Sequence, residues 1–213
     1  MPPKRRGHSA ADLKRRRPRR EPYDRVLVVC EGEKTERNYF RELCRHFRLS
    51  TANVEITPGV GNDPVSVVRT GKQLQKMEIQ QGERYDRVYC VFDRDEHVNF
   101  TDACSQAQTA GFSTAVSNPA FEYWLLLHFK YIRAPFFRTG SRTAAQNCEH
   151  ALKGELPGYS KGMQGLFLQL LPNLPDAKTR GARALADARQ TGEEDPSTEV
   201  HELVAYLENL KDE

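Results

Sequence analysis

Apolar positions along this chain arrive in short continuous runs separated by stretches of helical spacing. RVLVVC, residues 25 to 30, is unbroken from Val26 to Cys30, as expected of a strand buried on both faces of a sheet. Residues 33 to 48 follow with Tyr39, Phe40, Leu43 and Phe47 at spacings of three and four, which predicts an amphipathic helix. NVEITP alternates like a short strand. In VGNDP, Asp63 is placed to cap a helix and Pro64 to occupy its first position, and that helix runs to about Gln80. RVYCVFD, residues 87 to 93, is a second buried strand. Residues 98 to 110 read as helix, FSTAVS as a further strand, and Asn118 as a cap before Pro119, which opens the helix FEYWLLLHFKYI.

This β-α-β-α-β-α-β-α order predicts an α/β fold, an open and mostly parallel sheet flanked by helices on both faces. Beyond about residue 135 the strand signals stop. Segments 141–152, 162–171, 176–190 and 197–211 read as helices, the last capped by Ser197 or Thr198 with His201 at the surface. The expected organisation is a basic arm over 1–22, an α/β domain over 23–135, and a helical C-terminal annex over 136–213 packed on it.

Charge divides the chain in the same place. Residues 1 to 20 hold nine Lys or Arg against the single acid Asp12, leaving 23 basic and 28 acidic residues for the rest. With Pro2, Pro3, Gly7, Pro18 and Pro22 among them, the basic residues cannot form a buried face. The arm reads either as a solubilising tail or as a contact to nucleic-acid phosphates. Hydrophobic content of 38 % and charged content of 29 % place the body among globular proteins. No apolar run approaches the roughly 18 residues of a membrane span, and the basic N-terminus lacks the apolar stretch of a secretory signal. Five cysteines, odd in number and without CxxC spacing, argue against a disulfide framework or zinc site and for a reducing cytoplasm.

The candidate chemistry lies where apolar runs meet acid. Glu31 follows the first strand directly, and Asp93 and Asp95 in VFDRDEH end the third. In parallel α/β sheets the functional crevice lies beyond the carboxyl ends of the strands. Residues two apart in extended chain share a side, so both aspartates can face that crevice. Three carboxylates converging there repel one another by several kcal/mol at low dielectric. A bound divalent cation removes the conflict, and oxygen-lined acidic sites suit Mg²⁺ or Mn²⁺.

VVCEG, followed downstream by an apolar strand and a DxD, resembles the Toprim domain shared by topoisomerases, bacterial primases and metal-dependent nucleases. The ordered set VLVVCEGEKTERNYF, VYCVFDRDEH, SNPAFEYWLLLHF, GYSKG and DPSTEVHELVAYL resembles the RloB-like family, which includes abortive-infection proteins of bacteria. The resemblance implies a Toprim-like, Rossmann-like nuclease from an anti-phage locus, beside a partner ATPase. It places the Toprim glutamate at Glu31 as general acid/base and the DxD aspartates at Asp93 and Asp95 as metal ligands. The family's EGEKTE block adds Glu33 and Glu36, one or both available to a second metal.

Other residues have two readings each. Lys34 either approaches a scissile phosphate or is solvated; GxxxxGK[ST] is absent, so it belongs to no P-loop. His97 binds phosphate or is an exposed loop histidine. Glu122 either complements the dipole of its helix or stands as another acid near the metals. Tyr159 and Lys161 in GYSKG either reach a phosphate across the crevice or form an ordinary turn; the family block puts Lys161 with the catalytic residues. Trp124, Leu125, Leu126 and Leu127 are core.

The reading that follows is a Mg²⁺- or Mn²⁺-dependent endonuclease of anti-phage defence, acting on DNA or RNA, with transfer RNA a candidate. The alternative is a non-catalytic Toprim module serving as regulatory or nucleic-acid-binding subunit of a partner ATPase.

Overall fold

The computed structural model describes residues 22–61, 63–94 and 98–211. The basic arm up to Glu21, together with Asp95 and His97, lies outside the described residues.

All five residues of β1, Val26–Cys30, are buried. Their alternation splits them between two cores: Val26, Val28 and Cys30 face one, Leu27 and Val29 the other. The first core receives Tyr39, Phe40 and Leu43 of α1, Thr35–His46. β2 (Val54–Pro58) and α2 (Pro64–Gln80) follow, then β3 (Arg87–Asp93), α3 (Phe100–Thr109) and β4 (Ser113–Asn118). Helices α2 and α3 cover the second core, where Val67 and Val68 meet Cys90, Phe92 and Ala103. On the first face α4 (Phe121–Leu126), α5 (Ala144–Glu155), α6 (Leu166–Leu170), α7 (Leu174–Thr191) and α8 (Val200–Asn209) join α1. Tyr39 is the hub: its ring stands edge-on to Phe40, Phe121, Trp124 and Phe167 at centroid distances of 5.3 to 6.5 Å. Among the described residues no helix is long and apolar enough to cross a membrane, and the five cysteines are free.

The sheet order is β2-β1-β3-β4-β5, with β1 to β4 parallel and β5, Ser197–Thr198, antiparallel. The α/β, mostly parallel, Rossmann-like architecture expected from the strand and helix pattern is the one observed. The α2 start is also as expected: Asp63 accepts the Ser66 N–H at 3.0 Å in a capping box, and Pro64 opens the helix. Asp63→Ala should lower stability by about 1 kcal/mol, read as a lower urea midpoint at unchanged slope.

Five local expectations are corrected. The helix after Pro119 does not continue to residue 132 but stops at Leu126. Arg180 of α7 donates to the Leu127 carbonyl at 2.8 Å, and the Tyr123 hydroxyl to the Ile132 carbonyl at 2.7 Å, so tertiary partners satisfy the groups a longer helix would pair. Asn118 ends β4, and Ala120 holds the N-cap position. Strands do not stop at residue 135, since Ser197 and Thr198 pair with Asn118 and Ser117 to form β5. The last helix accordingly starts at Val200 with Glu199 at its N-cap, not Ser197 or Thr198. His201 is buried rather than at the surface: a Cβ on Gly181 of α7 would lie 3.1 Å from its ring, so the missing side chain makes the room.

Candidate active site

β1 leads through α1 to β2 on one side, whereas β3 lies on the other side of β1, with α1 and α2 on opposite faces. A reversal of this kind opens a crevice at the carboxyl ends of the two central strands. Cys30 is level with Val91 across that pair, so Glu31 and Asp93 emerge side by side. Glu31 donates its N–H to the Val91 carbonyl at 2.8 Å and accepts the Asp93 N–H on Oε2 at 3.1 Å. The end of β3 thus fixes the Glu31 carboxylate.

Beyond them is a cavity of about 320 Å³ whose lining includes Glu31, Lys34, Glu36, Asp93, Glu122 and Lys161. Six residues singled out from the sequence, scattered over more than half the chain, therefore share one cavity; Asp95 lies outside the described residues. Glu33 and Lys34 are exposed at its rim. Glu36, in the first turn of α1, is buried. Gly32 makes this possible, because a Cβ there would fall 1.8 Å from Glu36 Oε2. Glu122, in the first turn of α4, is buried and accepts the Tyr159 hydroxyl at 2.8 Å. Tyr159 is itself buried, so it holds Glu122 rather than reaching out to a phosphate. Lys161 is exposed, with Nζ 3.5 Å from Glu122 Oε1 and 3.8 Å from Glu149 Oε2.

Lys161 arrives on a loop that is tied to α1. Gly162 donates its N–H to Thr35 Oγ1 and accepts from Asn38 Nδ2, both at 2.9 Å. Glu42 accepts the N–H groups of Gly165 and Phe167 at 2.6 and 3.0 Å. Gly162 has φ +78°, and a Cβ there would lie 2.7 Å from that of Lys34. Gly162→Ala is therefore expected to cost about 1–3 kcal/mol, seen as a lower melting temperature. Thr35, Asn38, Glu42 and Glu149 were not singled out from the sequence; only their proximity to GYSKG in the folded chain reveals them.

The electrostatics are those of a site with excess negative charge. Burial, reinforced by Glu36, Glu122 and Glu31 and opposed by Lys161, pushes the Asp93 carboxyl well above its ordinary range. Burial likewise raises Glu36 to about 7, with Glu122 and Glu31 adding to it and Lys161 opposing. Burial works against charge on Lys161, but Glu122, Glu149 and Asp93 outweigh it and raise its pKa. Five acids, Glu31, Glu33, Glu36, Asp93 and Glu122, line the cavity against two lysines, Lys34 and Lys161. The donors are all carboxylate oxygens, the chemistry of a hard divalent cation. Among the described residues no three of them are drawn together closely enough to hold an ion as they stand.

Arg94, between Asp93 and Asp95, turns away from this cavity. It pairs with Glu194, and its guanidinium lies 5.3 Å from the Phe100 ring centroid.

No curated protein and no solved structure matches this chain. A family model described as RloB-like protein matches residues 26–207, from the first residue of β1 into α8. That span takes in Glu31, Glu36, Asp93, Glu122, Lys161 and the Gly162 loop. The chain belongs to the RloB-like protein family.

Proposed function

We propose that this protein is a metal-dependent nuclease of the Toprim type that hydrolyses phosphodiester bonds in bacterial defence against phage. The observation that carries the reading is the cavity in which Glu31, Glu36, Asp93 and Glu122 meet Lys161, with Lys34 at the rim, at the carboxyl ends of two central strands. Folding places these acids together against burial and mutual repulsion, a conflict that suits a cationic ligand. Glu31, Asp93, Glu36 and Glu122 would hold Mg²⁺ or Mn²⁺, with Asp95 joining them from the DxD pattern. When bound, such an ion supplies Lewis-acid activation of water and neutralises phosphate charge.

The chain's own groups have distinct tasks. Glu31, fixed by the Asp93 N–H, is oriented to take the proton of the attacking water as its oxygen bonds to phosphorus. The ester P–O bond breaks, and the departing oxygen gains a proton. Tyr159 keeps Glu122 from turning away. Lys161, exposed at the mouth, meets a phosphate oxygen, with Lys34 at the rim beside it. The defence setting and a partner ATPase rest on the family resemblance, and the cytoplasm on the cysteine usage.

The test is cleavage of plasmid, single-stranded DNA and total transfer RNA with Mg²⁺, Mn²⁺ or EDTA. Cutting that requires the ion supports the reading and identifies the substrate. Cutting that persists in EDTA contradicts it, and no cutting in any lane, with the partner ATPase supplied, favours the non-catalytic module.

A further inference from the structure

Between Glu122 and Glu149 the chain contains no acid and four basic residues, Lys130, Arg133, Arg138 and Arg142. This stretch belongs to a body with more acidic than basic residues. Lys130 pairs with Glu155 at 2.7 Å, and Arg133 donates to the carbonyls of Glu193 and Pro196. Arg138 and Arg142 stand on an exposed turn with Phe137, a residue 71 % accessible. The turn is not loose. Thr139 and Arg142 exchange backbone hydrogen bonds at 3.0 and 3.1 Å, and Asn147 of α5 donates to the Phe137 carbonyl at 2.7 Å.

From this turn a groove of about 380 Å³ runs along α5, lined by Arg142, Glu149, His150 and Lys153 among others. Glu149 links the groove to the catalytic cavity, because it pairs with Lys153 at 2.7 Å and with Lys161 at 3.8 Å. Arg142, Lys153 and Lys161 thus lead from the turn that carries Phe137 to the cavity mouth, with Glu149 between the two lysines.

We infer that this line is the track of a single nucleic-acid strand entering or leaving the cavity. The assignment rests on the nuclease reading and adds the path and strandedness of the substrate. Arg142, Lys153 and Lys161 match a row of phosphates, and the exposed Phe137 ring offers a stacking face to one base. A paired base has both faces covered by its neighbours, so the ring selects an unpaired strand. DNA and RNA share this chemistry.

Fluorescence anisotropy of the full chain in EDTA, where no ion-dependent cutting occurs, tests the track with labelled dT20, U20 and a 20-bp duplex. Arg142→Ala with Lys153→Ala should weaken single-strand binding about tenfold and lower the salt slope by about 1.4. Phe137→Ala should weaken it about fivefold or more while sparing the duplex. Lys76→Ala with Arg84→Ala, exposed charges on the α2 side of the sheet, should leave it within about twofold. Melting curves establish that each variant is folded. The relative affinities of dT20 and U20 separate DNA from RNA. Wild-type affinity in the Arg142/Lys153 and Phe137 variants overturns the track, as does failure of the wild type to bind either strand. Equal loss on strand and duplex overturns the single-strand assignment. If cutting is ion-dependent but these variants bind normally, the track falls and the nuclease stands. Track-dependent binding without cutting under any ion keeps the track and removes the nuclease.

Discussion

Glu31→Gln and Asp93→Asn are each expected to reduce ion-dependent cleavage on the order of a thousandfold, without loss of the fold. Both replacements keep shape and remove charge, and both groups lie at strand ends rather than in either core. Glu31→Gln removes the proton acceptor while an amide oxygen remains to accept the Asp93 N–H. Asp93→Asn removes the carboxylate that burial and three neighbouring acids oppose most strongly. The two effects of Asp93→Asn have opposite signs: activity falls, and the ion-free protein becomes more stable above neutral pH. Single-turnover rates beside melting curves at pH 8 in EDTA separate them. A joint loss of activity and stability would mark Asp93 as structural instead.

The ion-free protein should lose stability as pH rises, and a divalent cation should restore it. Glu36 is raised in the fold from its ordinary 4.5 to about 7, and Asp93 is raised in the same direction. Between those values the folded chain holds more protons than the unfolded one, so stability falls with increasing pH. The contribution is complete below about 4.5 and gone once pH has passed about 7. A displacement from 4.5 to about 7 corresponds to about 3 kcal/mol for Glu36 alone. Melting temperature in EDTA should therefore drop by roughly 5–10 °C between pH 5 and pH 8 from this source. Millimolar Mn²⁺ should return most of that at pH 8 and little at pH 5, where protons occupy the same oxygens. Equal stabilisation at both pH values would place the ion elsewhere.

How much of this was legible depended on whether the signal was local. Val26–Cys30 and Arg87–Asp93 are apolar runs that need no partner to be read as strands, and both were found at those bounds. The Asp63–Pro64 start of α2 is a local cap and was equally plain. β5 was missed because two residues, Ser197 and Thr198, show no alternation until β4 lies beside them. The end of α4 depends on Arg180, and the burial of His201 on Gly181, each on another helix. At the site, Glu31 and Asp93 stood out because each ends an apolar run. Glu36 and Glu122 were legible through the family blocks alone, since an acid in a helix's first turn is by itself ordinary dipole chemistry. Only the closure of α1 and α4 over the strand ends turns those two inward. Lys161 was legible through the family block alone, because Thr35, Asn38 and Glu42 place it from more than a hundred residues away.

The central claim is that four carboxylates are held against their own repulsion to receive a divalent cation. Mn²⁺ binding followed by electron paramagnetic resonance at pH 7.5, on the full chain and on Asp93→Asn, tests it most directly. The expected result is saturable binding to the wild type that Asp93→Asn weakens at least about tenfold. Absence of binding to the wild type, or equal binding to both proteins, would contradict it.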